Sequence, residues 1–126
     1  MKKYNSTITG LGSDALYFLS DEDMNFIIIF NENAPPELAE LAVLHTIEDL
    51  KEFPVAGDIF KICGKEFIIT AVGSEAVHTL KELGHCTISF KGGPEPDRPG
   101  CIMVEGKIPL SAEDFKVGET IEIYSL

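Results

Sequence analysis

The sequence predicts a mostly β protein, a barrel or a sandwich with one or two short helices. Short alternating or β-branched runs recur along the chain between turn residues, and only one segment has clear helical periodicity. The chain has 126 residues and is 44% hydrophobic, which is enough to bury one core. We therefore expect a single domain that spans residues 1–126.

The predicted strands follow one another at short spacing from the N-terminus. They cover residues 4–9, 25–30, 42–47, 58–63, 66–73, 85–90, 101–110 and 118–126. In the third of them, Val43, His45 and Ile47 are expected to share one face because side chains alternate along a strand. The pair Gly64-Lys65 is predicted to form the tight turn of a hairpin.

Two segments favour helices. PPELAEL, residues 35–41, places prolines in a first turn and continues with good helix formers. A longer helix reaching His45 remains open at this stage, but the β-branched residues after Leu41 favour a strand. SEAVHTLKELGH begins with Ser74 as the expected N-terminal cap and has Gly84 where a C-terminal cap belongs.

The formal charge of −11 limits the classes of partner. An acidic chain without a basic stripe is not expected to bind nucleic acid or an anionic membrane surface, whereas a basic protein partner is electrostatically favoured. No apolar run approaches the length of a membrane span or a signal peptide core, so we expect a cytoplasmic protein without membrane insertion. The three cysteines lack metal-binding spacing and are expected to be small buried side chains.

Two common site types are not favoured. GLGSDA, residues 10–15, fits the G-x-G-x-x-A pattern of dinucleotide sites and has Glu32 at about the right distance. However, later strands lack the crossover helices of that fold, so the pattern is interpreted as a turn. The histidines and cysteines are dispersed, and the sequence predicts neither a metal nor a cofactor site.

The candidate chemical group is His45, which lies in the apolar run LAVLHTIEDL. A nucleophilic histidine needs one ring nitrogen exposed to the electrophile and the other fixed by a hydrogen bond. We therefore expect the surface to expose one nitrogen of His45 if the residue is functional, whereas a fully buried ring would contradict a relay role and leave His45 as a core histidine. His85 lies at the end of an element, whereas His78 is expected on an exposed helix face.

Several blocks of the sequence resemble the enzyme IIA component of the glucitol/sorbitol-specific phosphotransferase system (PTS). The blocks are the strand and NAPPEL at 30–38, VLH at 43–45, TAVGS at 70–74, and L-x-x-LGH-x-T-x-x-F at 80–90. The resemblance implies a β-barrel, closed or partly open, that carries phosphoryl groups in the cytoplasm without a cofactor. After His45 the chain reads TIED, which departs from the more polar or glycine-containing family pattern.

The resemblance also assigns roles to residues and partners. His45 would accept a phosphoryl group from the phosphocarrier HPr as a phosphohistidine and pass it to the IIB domain of an IIB/IIC permease. His85 is a candidate stabiliser of the phosphoryl oxygens. The alternative is a non-catalytic regulatory or binding barrel with His45 in its core. Exposed strand edges would also allow a homodimer.

Overall fold

Eight strands form a closed barrel in the order β1-β3-β2-β6-β7-β5-β4-β8 in the computed structural model, which describes all residues 1–126. The strands are β1 Lys2–Leu11, β2 Phe26–Asn31, β3 Val43–His45, β4 Ile59–Ile62, β5 Lys65–Val72, β6 Cys86–Ser89, β7 Cys101–Glu105 and β8 Thr120–Tyr124. The helices are α1 Pro36–Ala39, α2 Ala76–Leu83 and a single 3-10 turn, Ala112–Asp114. The predicted mostly β barrel with short helices is confirmed.

The barrel is antiparallel except at two strand pairs. β2 pairs in parallel with β3, and β6 pairs in parallel with β7. A parallel pair needs a crossover rather than a tight turn, and the chain provides it with residues 32–42, which include α1, and with residues 90–100. The first crossover places the end of β3 beside the end of β2.

The core lies inside the barrel and follows the alternation of the strands. In β5, Phe67, Ile69 and Ala71 are buried between more exposed neighbours, and in β8 Ile121 and Ile123 are buried in the same way. One cluster of 20 buried residues joins side chains from all eight strands and from α2. Burial of this apolar surface is the main favourable term that holds the barrel together.

A buried ion pair ties β1 to the loop before β4. Lys3 Nζ lies 2.7 Å from Asp58 Oδ2 and 3.3 Å from the Phe53 carbonyl oxygen. The backbone N–H of Val55 donates to the same Asp58 oxygen at 2.9 Å. Because each charged group has two hydrogen-bond partners, the pair can remain inside the protein and fix the long connection that follows β3.

Several local predictions are wrong in detail. The strand predicted at 42–47 ends at His45, and Ile47 lies beyond it with an exposed side chain. The hairpin turn is Cys63-Gly64, one residue earlier than predicted, and both residues have positive φ, as a type I′ turn requires. Ser74 does not cap α2, because the helix starts after Glu75.

The remaining sequence patterns have structural explanations. GLGSDA forms the end of β1 and the turn after it, and a side chain at Gly12 would collide with the Ala39 and Glu40 carbonyl groups. Cys86 and Cys101 are buried as expected, whereas Cys63 is half-buried in its turn. None of the helices has the length and apolar character needed to cross a membrane.

Candidate functional site

His45 is the last residue of β3 and lies between two other strands. It is the register partner of Asn31 on β2 and of Ile8 on β1. Because alternate residues share a face, His45 points to the same side as the buried Val43, and Leu44 is half-buried on the other side. The imidazole therefore lies at an end of the barrel core.

Both ring nitrogens of His45 face hydrogen-bonding groups of the protein. Nε2 lies 2.7 Å from the Gly84 carbonyl oxygen, and Nδ1 lies 3.0 Å from the Thr46 carbonyl oxygen. The Tyr4 hydroxyl is 3.4 Å from Nδ1, with the phenol ring edge-on to the imidazole. The side chain is 0% exposed, so the expectation of a nitrogen at the surface is wrong for this conformation.

Burial lowers the pKa of His45 below its ordinary value. Smaller opposing effects come from the two carbonyl groups and from the negative charges of Glu32 and Glu48. The neutral ring carries one proton, and the shorter contact assigns it to Nε2, which then donates to Gly84. Burial raises the pKa of Tyr4, so its hydroxyl stays protonated and can donate to Nδ1.

Gly84 closes the site from the end of α2. Its φ of +61° is the left-handed conformation that ends many helices, as the sequence predicted. A Cβ at this position would lie 1.9 Å from Asn31 Oδ1 and 2.9 Å from His45 Cε1. Only glycine therefore lets the backbone approach both side chains closely enough for its carbonyl to reach His45.

Asn31 is a second polar side chain in this enclosure. It is 8% exposed, and its Oδ1 is buried without a hydrogen-bond partner. Most buried polar atoms in proteins are hydrogen-bonded, so this oxygen is an exception at the edge of the His45 site. Sequence reasoning missed Asn31, Tyr4 and Gly84 as site residues, because the register of parallel strands and the path of the chain after α2 bring them together.

His85 follows Gly84 directly and packs against the outside of β2. Its Nδ1 donates to the Ile29 carbonyl oxygen at 3.1 Å, and its ring lies over Phe30 with centroids 4.6 Å apart. The side chain is half-buried, and Nε2 makes no hydrogen bond within the protein. The chain therefore brings His85 next to the residue that contacts His45.

The third histidine and the largest groove lie apart from this cluster. His78 is exposed on α2, as predicted, and its ring packs edge-on against Phe53. The largest groove, about 530 Å³, is lined by residues of the β4–β5 hairpin and of 105–108. It contains no histidine, so we place the candidate site at His45, Asn31 and Gly84, and not in this groove.

Fold and site together define a small closed barrel that encloses one imidazole where two parallel strands end. The family model described as "PTS system glucitol/sorbitol-specific IIA component" matches residues 3–122. The glucitol/sorbitol-specific EIIA components of the PTS from Escherichia coli (strain K12) and Shigella flexneri are each 36% identical to the chain. In both cases the match covers 98% of this chain and 95% of the relative.

A solved structure supports the same relationship. The PTS system IIA component from Enterococcus faecalis V583 superposes with a TM-score of 0.77 at 26% identity, over 98% of this chain and 100% of that one. The chain belongs to the glucitol/sorbitol-specific IIA family of the PTS. The resemblance inferred from the sequence blocks is therefore confirmed.

Proposed function

We propose that the chain is a phosphocarrier that takes a phosphoryl group from HPr on His45 and passes it to the IIB domain of a glucitol/sorbitol permease. The observation that carries this proposal is membership of the IIA family over nearly the whole chain. His45 supports it as an imidazole whose two nitrogens are held in a fixed geometry. Residues 1–126 act as one domain in the cytoplasm and need no cofactor.

The enclosure of His45 means that transfer requires a local opening. The Gly84 carbonyl occupies the position in front of Nε2, so the α2–β6 junction must move before a phosphoryl group can approach. After Leu80 no side chain of α2 is buried, so we expect the junction to open together with the exposed end of the helix, with loss of the Gly84–His45 and His85–Ile29 hydrogen bonds. Segments with few buried contacts open at low free-energy cost. Tyr4, on the Nδ1 side, lies within the paired strand β1 and is less able to move.

The open state also sets the tautomer that the chemistry needs. When the Gly84 carbonyl leaves, Nε2 releases its proton to solvent, and Nδ1 takes one up and donates it to the Thr46 carbonyl oxygen. The Nε2 lone pair then attacks the phosphorus of phospho-HPr. The new N–P bond forms as the N–P bond of the donor breaks, and that bonding pair returns to the donor's ring nitrogen.

A cation for the phosphoryl group must come from the partner. The charges that influence the pKa of His45 are those of Glu32 and Glu48, and both are negative. Phosphoryl transfer depends mainly on positioning and on electrostatic stabilisation of the equatorial oxygens. We therefore expect the docking face of HPr, and later that of IIB, to place positive charge at the opened site.

A second candidate is a non-catalytic regulatory barrel with His45 as a structural residue. The observation that favours it is the complete burial of the ring with both nitrogens in contact with carbonyl groups. In this reading the Gly84 contact only joins the end of α2 to β3. The two candidates differ in one measurable property, since only a phosphocarrier becomes labelled by the phosphotransferase system.

The test is phosphorylation of the intact chain by phosphoenolpyruvate, enzyme I and HPr. We expect a mass gain of one phosphoryl group that is acid-labile and base-stable, lost in His45→Gln and retained in the exposed-site control His78→Gln. His85→Gln should keep the label but gain it more slowly. Loss of the label in His85→Gln alone would mean that His85, and not His45, carries the phosphoryl group. No label in the intact chain, with a known carrier labelled in the same tube, would favour the regulatory barrel.

A further inference from the structure

Asn31 has a buried polar atom that the resting structure does not use. Its side chain is more than nine-tenths buried, and Oδ1 has no hydrogen-bond partner. Leaving a buried acceptor unpaired costs stability, and an apolar side chain of similar size would avoid this cost. Because the neighbouring core positions of β2 are filled by isoleucine and phenylalanine, the fold itself does not explain a carboxamide here.

The unpaired group is directed into the His45 site. Asn31 and His45 are register partners on parallel strands, so their side chains leave the sheet on the same side. Both side chains approach Gly84 so closely that they would collide with any Cβ there. The Gly84 backbone is therefore the element that lies against both of them in the closed state.

Removal of that backbone would open a space between the carboxamide and the Cε1–Nε2 edge of the imidazole, because a Cβ on Gly84 would lie 1.9 Å from Asn31 Oδ1 and 2.9 Å from His45 Cε1. A phosphoryl group on Nε2 would take the place of the Gly84 carbonyl and would present oxygens to Asn31. A rotation of the carboxamide exchanges Oδ1 and the Nδ2 amino group, so the side chain can donate two N–H groups to these oxygens. A neutral donor also suits a carrier, since the phosphoryl group must leave again for the next protein.

We propose that Asn31 binds the phosphoryl oxygens on His45 in the opened site and holds the group in line for transfer. This inference rests on the proposed phosphocarrier function of His45. It explains why a carboxamide is retained at the cost of an unpaired oxygen in the closed form. It also gives the site neutral donors of its own beside Glu32 and Glu48, in addition to the positive charge expected from the partner.

The test compares Asn31→Leu and Asn31→Asp with matched substitutions at the exposed Asn33, two residues further along the chain in the crossover after β2. The measured quantities are the single-turnover rate of phosphoryl transfer from phospho-HPr and the urea unfolding midpoint. We expect Asn31→Leu to unfold at the same or a higher urea concentration and to accept the phosphoryl group at least tenfold more slowly. Asn31→Asp should be slower still because its carboxylate repels the phosphoryl oxygens, and Asn33→Leu and Asn33→Asp should react at the normal rate.

The outcomes separate this inference from the function on which it rests. If the intact protein is labelled on His45 and Asn31→Leu is labelled at the same rate, Asn31 has no role in transfer and the phosphocarrier function stands. If Asn31→Leu loses stability and transfer in proportion to its folded fraction, Asn31 is only structural. If the intact protein gains no label while the control carrier does, both proposals are overturned. The ³¹P resonance of phosphorylated Asn31→Leu should also shift from that of the intact protein.

Discussion

At the scale of the residue, His45 is subject to two opposing effects on its pKa. Removal from water disfavours the imidazolium, whereas the Gly84 and Thr46 carbonyl groups would accept from a ring protonated at both nitrogens. Burial is the larger effect, so the pKa is lowered and the closed state holds a neutral ring. A neutral imidazole is also what a nucleophile requires, and in the proposed function the enclosure keeps the ring neutral until the site opens.

This lowered pKa predicts a pH dependence of stability. The unfolded chain binds a proton at His45 near pH 6.5, whereas the folded chain does so only at lower pH. The contribution of the neutral His45 to the free energy of unfolding is therefore complete above about pH 6.5. It is lost as the pH falls through the interval between the unfolded and the folded pKa. Urea unfolding between about pH 7.5 and 5 should show a slope of at most about 1.4 kcal/mol per pH unit from this group.

The comparison that tests this prediction is His45→Gln with the exposed control His78→Gln. His45→Gln should flatten the pH dependence over this interval more than His78→Gln, which removes an exposed histidine. The carboxyl groups with lowered pKa, Asp114 and Glu122, lose most of their contribution below about pH 5 and add little to the slope in the measured range. Equal slopes for the intact protein and His45→Gln would contradict the prediction.

The same residue shows how far sequence reasoning can reach. His45 was identified as the candidate group from its apolar surroundings and from a family resemblance. Its exposure was predicted wrongly, because the element that covers it is Gly84, 39 positions further along the chain. Asn31 was not identified as a site residue. An asparagine in NENAPP is expected in the loop that ends the strand, and only the register of β2 with β3 places it beside His45.

At the scale of the element, the end of α2 both terminates the helix and covers His45. The left-handed Gly84 lets the Gly84 N–H bond to Leu80 and the His85 N–H bond to Thr79, which satisfies carbonyl groups that the helix leaves free. The sequence predicted the glycine because helix ends have a local signal. It did not predict the contact of its carbonyl with His45, which is not local. The prediction that Ser74 caps α2 is wrong, because the helix starts two residues after the serine.

The element scale gives a prediction that separates backbone strain from close packing. Gly84→Ala should lower the free energy of unfolding by about 3 kcal/mol, because a positive φ costs an alanine about 1–2 kcal/mol and the collision with Asn31 and His45 adds about as much. The control is Gly64→Ala, where φ is +79° but no atom lies within 4 Å of the added Cβ, so the loss should be about 1 kcal/mol.

A double substitution sharpens this measurement. Asn31→Ala in the Gly84→Ala background removes the nearest colliding atom, so it should recover part of the lost stability in urea unfolding. Equal losses in Gly84→Ala and Gly64→Ala, with no recovery in the double variant, would mean that the junction relaxes freely and that Gly84 is selected for its φ alone.

At the scale of the whole molecule, closure of the barrel joins segments that the sequence cannot relate. Alternation predicted most of the strands, because the burial of one face is a local pattern. The order of the strands and the two parallel pairs depend on contacts between distant segments, and they were not predicted. Closure also removes the free strand edges on which the expected homodimer rested, so any dimer would have to form through side chains.

The overall charge of −11 gives a prediction for transfer between proteins. If the cation that stabilises the phosphoryl group comes from HPr, association brings opposite charges together, and salt should slow it. We expect the second-order rate constant for transfer from phospho-HPr to fall about tenfold as the ionic strength rises from about 0.05 to about 0.5 M. Spontaneous hydrolysis of the phosphohistidine involves no charged partner and should change little.

Charge variants locate the interaction on the surface. Glu48→Gln removes one of the two carboxylates that influence His45, so it should reduce the dependence of the rate on salt. Glu113→Gln makes the same change in the exposed 3-10 turn, outside the charges that influence His45, and should have a smaller effect. If the rate of phosphoryl transfer does not depend on salt, the two proteins dock through apolar surface instead. The positive charge would then act only after docking, when Gly84 has moved and the phosphoryl group lies between the two proteins.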